Sequence, residues 1–148
     1  MKPVPFKLRF LVFGILVAAI MIFTATLDGV CAEKHMYKAP PGGNYKKVSS
    51  LVALPDFLPG LGTLYVDPAT LPAGPFLAYD KKGHLVSTVY MIPIKDINDH
   101  KEFKNLKVAP GKVDHVDMYY NAGHPGVPEP HYHVILWHVS PEKAAELK

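Results

Sequence analysis

Val113-Asp114-His115-Val116-Asp117-Met118-Tyr119-Tyr120, the bend Gly123-His124-Pro125-Gly126-Val127-Pro128-Glu129-Pro130, and the run His131-Tyr132-His133-Val134-Ile135-Leu136-Trp137-His138-Val139 decide the fold. Successive side chains of a strand point to opposite faces, so His131 and His133 share one side. Val116, Met118 and Tyr120 form one face of the first run, and His115, Asp117 and Tyr119 form the other. In the second run Tyr132, Val134 and Leu136 oppose His131, His133, Ile135 and Trp137. If the runs pair antiparallel across the bend, with the two apolar faces side by side and buried, then His115, Asp117, His131 and His133 gather on the opposite face. A slip of one residue would undo this. His124 is expected within reach from the bend, with Ile135 and Trp137 as an apolar floor.

Working outward, Gly62 to Val66 reads as a strand closed by Asp67-Pro68. Phe76 to Tyr79 and Leu85 to Ile92 flank Asp80-Lys81-Lys82-Gly83, a hairpin composition with glycine at the left-handed position. A short helix is expected between Asp96 and Leu106, capped by Asp96 or Asn98, with Ile97, Phe103 and Leu106 inward. Ser140-Pro141-Glu142 supplies an N-cap, a first-turn proline and an acidic first turn for a C-terminal helix. Thirteen of the fifteen prolines lie beyond residue 32, which disfavours long helices. The expected class is α+β, mainly β: a small antiparallel sheet or partly open barrel with one or two short helices.

The N-terminus reads as an export signal over 1–32. Lys2, Lys7 and Arg9 precede the apolar run Phe10 to Phe23, and Val30-Cys31-Ala32 offers a cleavage site. Lipidation at Cys31 and an uncleaved membrane anchor are the alternatives, and only the retained segment would tie the protein to a membrane. Residues 33–47, with Pro40-Pro41-Gly42-Gly43, suit a flexible arm, and 48–148 a single β-rich domain. The location implied is periplasmic or extracellular.

The chain carries 16 basic and 13 acidic residues, of which the first 32 hold three and one. The remainder is therefore close to neutral, which excludes the concentrated positive field that nucleic-acid binding needs. Cys31 is the only cysteine, so the exported domain has no disulfide, thiolate site, cysteine nucleophile or c-type haem attachment. There is no Gly-x-Ser-x-Gly, no phosphate-binding loop, no dinucleotide fingerprint and no His-Glu-x-x-His. A cupin would need a glutamate soon after His-x-His, where Val134, Ile135, Leu136 and Trp137 stand instead.

Five of the eight histidines fall between His115 and His138. Imidazoles with one carboxylate and no thiolate suit Zn²⁺, alternatively Cu²⁺ or Ni²⁺, better than Ca²⁺ or Mg²⁺. The candidate ligands are His124, His131 and His133, then Asp117 as ligand or partner of an imidazole, and His115. Three imidazoles with an open position would also produce a metal-bound hydroxide, for which Glu129 or Asp117 would be the general base. His138 points the other way, and His35, His84 and His100 lie apart.

Gly62-Thr63-Leu64-Tyr65-Val66-Asp67-Pro68, Leu71-Pro72-Ala73-Gly74-Pro75, Asp114-His115-Val116-Asp117 and Tyr120-Asn121-Ala122-Gly123-His124-Pro125-Gly126-Val127, leading into Pro130-His131-Tyr132-His133 and Val139-Ser140-Pro141-Glu142, carry a resemblance. Over roughly residues 60–142 the chain resembles a family of small exported bacterial proteins of unknown function. That resemblance implies that His124 and His131 are shared positions. Some members carry a third polar site where this chain has Ile135, and in this chain His133 stands in. It also implies a strand-rich domain that self-assembles as a homo-oligomer. Three classes fit the residues: a non-enzymatic metal-binding domain, a metal-dependent hydrolase or lyase, and a metal-free structural protein of the envelope.

Overall fold

The computed structural model describes residues 35–148, so the expected export signal lies outside the described residues. Among those described, no helix is long and apolar enough to cross a membrane. Six strands, β1 (Lys46–Lys47), β2 (Thr63–Val66), β3 (Phe76–Tyr79), β4 (Leu85–Pro93), β5 (His115–Asn121) and β6 (His131–Trp137), form one open sheet in the order β1-β2-β3-β4-β6-β5. All pairings are antiparallel. Two short helices, α1 (Ile94–Asn98) and α2 (Pro141–Ala145), complete the α+β, mainly β architecture.

Local chemistry explains the elements. β3 and β4 are joined by a turn in which Asp80 Oδ1 accepts from the Lys82 and His84 N–H groups, and Gly83 takes φ +75°. Every residue of β4 except Pro93 is buried, as suits a central strand flanked on both edges and covered on both faces. α2 starts where expected: the Ser140 side chain accepts from Lys143 N–H, and Pro141 occupies the first turn.

α1 departs from expectation. It begins before Asp96 and ends at Asn98, with Asp99 as its C-cap, because His100 adopts φ 56° and the His100 and Lys101 N–H groups return to the Ile97 and Asp96 carbonyls. This pair of bonds closes a helix and leaves no room to continue it. Asp96 therefore pairs with Lys101 instead of capping, and Ile97 and Leu106 are exposed.

The expected free arm is also corrected, from residue 35 onward. Ala39 N–H donates to the Gly83 carbonyl, Leu85 N–H to the Tyr37 carbonyl, and Tyr79 Oη to the Met36 carbonyl, before β1 pairs with β2. These bonds make the segment part of the sheet's cover. It packs against Leu77, Tyr79 and Leu85 through Met36, Ala39 and Tyr45.

The β5–β6 register sets His115 opposite Trp137, Asp117 opposite Ile135, Tyr119 opposite His133 and Asn121 opposite His131. The two faces therefore contain the residues expected of them. Their burial is reversed. His131 and His133 are 0% and 6% exposed, whereas Val116, Met118 and Tyr120 are 56%, 65% and 53% exposed. The histidine face of β6 continues, strand by strand, into Met91, Val89 and Phe76, and the main core lies over that face. The connection from Val48 to Leu61 and the bend at Val127 pack there, so the imidazoles are covered and the apolar stripe faces out.

Candidate metal centre

The bend that carries His124 is a tight reversal. His124 and Val127 exchange both backbone hydrogen bonds at 2.9 Å, and Asn121 Oδ1 accepts from Gly123 N–H at 2.8 Å. Gly123 has φ +125°, and a Cβ there would collide with the Pro128 carbonyl, so no other residue fits. The reversal folds the His124 ring back over the start of β6.

Three imidazoles meet there. His131 Nε2 lies 3.0 Å from His133 Nε2, and His124 Nε2 lies 3.4 Å from the same atom. One ligand nitrogen from each of the three lies within 4.8 Å of the other two. Two nitrogens bound to one tetrahedral zinc stand about 3.3 Å apart, given Zn–N bonds of about 2.0–2.1 Å. The separations of 3.0 and 3.4 Å bracket that edge.

The outer nitrogens settle the proton positions of two rings. His131 Nδ1 donates to the Glu129 carbonyl at 2.7 Å, and His124 Nδ1 donates to the Pro125 carbonyl at 3.1 Å. A carbonyl only accepts, so each neutral ring keeps its proton on Nδ1 and presents Nε2 as a lone pair. His133 Nδ1 faces the Tyr119 hydroxyl at 2.9 Å. A single proton on His133 Nε2 could serve only one of the two facing lone pairs well, whereas a cation serves all three. Imidazole ligands held from behind in this way are the usual pattern of protein metal sites. Burial and the two neighbouring rings push His133 down to about 4, so its ring is neutral near pH 7.

The other expected residues are elsewhere. Asp117 accepts from Trp137 Nε1 at 2.7 Å, opposite Ile135 and one inward-facing step beyond His133. His115 sits at the far end of β5, stacked on Trp137 with ring centroids 5.9 Å apart and bonded to Asp114. Sharing a face is therefore not the same as sharing a site, because the strands carry these residues away from the bend. Glu129 contributes its backbone carbonyl, while the residue itself is exposed. His138 bridges Thr88 Oγ1 and the Lys112 carbonyl, a structural role on the opposite face.

A cavity of about 300 Å³ lies beside the cluster, but Ile135 and Trp137, expected as its apolar floor, do not line it. The connection ahead of β2 lines it with Val48, Leu51, Val52, Leu54, Leu58 and Leu61, and the sheet adds Val66, Phe76, Val89 and Met91. Asn121, His124 and His133 are its polar end. The aliphatic run after Val48 has no helical or strand period, so nothing but its density of leucine and valine hinted at a lining role.

No protein-family model and no curated protein matches the chain. It is similar to a hypothetical protein from Thermus thermophilus of known crystal structure, with 47% sequence identity and a TM-score of 0.58, over 64% of this chain and 92% of that one. With nearly half the residues identical along almost the whole of that relative, this chain belongs to the same family as the Thermus protein.

Proposed function

We propose that this protein binds a divalent transition metal, zinc before copper or nickel, through Nε2 of His124, His131 and His133. The observation that carries the reading is the convergence of three imidazole nitrogens, two of them lone pairs fixed by carbonyls behind their rings. The role is that of an exported metal-binding domain. Export is supported by Lys2, Lys7 and Arg9 ahead of the apolar run Phe10 to Phe23. The reading with a metal-bound hydroxide as hydrolase or lyase is weaker, since no carboxylate among the described residues lines the cavity and Asp117 is engaged with Trp137. Self-association is supported by the exposed apolar face of β5.

The test is elemental analysis of the purified protein and of a His131→Ala, His133→Ala double variant. Stoichiometric metal in the first and none in the second is the expected result. Adding zinc to chelator-treated protein at about a thousandfold over its Kd stabilises the fold by about 4 kcal/mol. A metal-free protein whose melting is indifferent to zinc, copper and nickel would end the reading.

A further inference from the structure

The cavity and the histidine cluster share a wall, and their chemistry is unequal. Everything away from the cluster is aliphatic or aromatic, while Asn121, His124 and His133 close one end. Apolar walls with a few convergent polar groups are what a small-molecule site looks like. A volume of about 300 Å³ holds on the order of ten non-hydrogen atoms, at the ~30 Å³ that a water occupies in the liquid.

Charge decides the head group. Three neutral imidazoles leave a bound divalent cation with its full +2 charge, and among the described residues neither the cluster nor the cavity wall contains a carboxylate. Uncompensated charge in so apolar a setting is costly, which favours an anionic fourth ligand. A carboxylate oxygen is a good zinc ligand at about 2.0–2.2 Å. Asn121 commits Oδ1 to Gly123 N–H, which leaves its Nδ2 amide as the donor it can offer to a second oxygen.

We propose that the cavity binds a medium-chain aliphatic monocarboxylate, tail among the leucines and valines, head on the metal held by His124, His131 and His133. This rests on the metal reading above, and the experiment separates the two. Zinc content is measured first, by elemental analysis. Zinc-loaded full-length protein is then titrated calorimetrically with butyrate, hexanoate, octanoate and 1-octanol. Affinity should rise about fourfold per methylene from butyrate to octanoate, at ~0.8 kcal/mol per buried methylene. 1-Octanol, and octanoate on chelated protein, should bind at least tenfold more weakly than octanoate on zinc-loaded protein. Octanoate should also change the visible d–d bands of cobalt-loaded protein, which reports coordination directly. Leu54→Trp, which fills the cavity from its wall, should retain zinc and lose octanoate at least tenfold.

Zinc bound stoichiometrically with no saturable octanoate binding would overturn this inference and leave the metal reading intact. So would a flat chain-length series, or 1-octanol binding as tightly as octanoate. Absence of metal in the first measurement would overturn both.

Discussion

At the scale of single residues, the centre depends on which nitrogen of each ring holds the proton. Glu129 and Pro125 supply carbonyls, and those cannot be mutated away, but Tyr119 Oη behind His133 can. Tyr119→Phe should weaken metal binding on the order of ten- to a hundredfold with the fold intact, as competition with a chromophoric chelator would show. His115→Ala should leave metal stoichiometry unchanged, since His115 lies beside Trp137 and Asp114. A loss of metal in that variant would contradict the position of this ring at the far end of β5. His133 also sets a pH dependence. Its folded value is lowered to about 4 from 6.5, so between those limits the unfolded chain takes up a proton that the folded chain refuses. Stability of the metal-free protein is therefore held above about pH 6.5 and lost as pH falls toward 4, at up to about 1.4 kcal/mol per unit. Urea unfolding at pH 7 and pH 5 measures this, and His133→Leu should flatten the slope.

At the scale of elements, the bend and the two final strands act as one device. β6 places His131 and His133 on one side by alternation alone, while the bend brings back His124 through the paired bonds of His124 and Val127. Gly123→Ala forces a Cβ against Pro128 and moves that ring, so metal affinity should fall at least tenfold, read by the same chelator competition. Gly126 is tied similarly to the covering connection, where a Cβ would stand 2.8 Å from Val52 Cγ1. In β4, Ser87 Oγ is buried without a hydrogen-bond partner among the described residues, in the register position facing Trp137. Removing an orphaned hydroxyl relieves about 1–3 kcal/mol of desolvation, so Ser87→Ala should raise the melting temperature. A fall would mean that the hydroxyl is satisfied in solution.

At the scale of the whole molecule, the outcome turned on what lies over each face of the sheet. Met118 and Val116 stand on the outer face of an edge strand, where the proposed self-association would place a second copy of the chain. Met118→Lys should lower the association constant seen by sedimentation. A wild type that stays monomeric at all concentrations would show the face to be plain solvent surface. Strands β2 to β6, the β3–β4 turn, the antiparallel β5–β6 register and the pairing of His131 with His133 were legible in the chain, because turn chemistry and two-residue alternation are local. The end of α1 was not, since a left-handed His100 carries no reliable signal. Nor were β1 and the packing of residues 35–47, the reversed burial of the histidine face, or the residues that line the cavity. Both faces of β5 and β6 contain apolar side chains, so periodicity alone could not say which would meet solvent. That choice was made by segments distant in sequence, from Val48 to Leu61 and at the bend, which pack their apolar side chains over the histidine face and so take both from water.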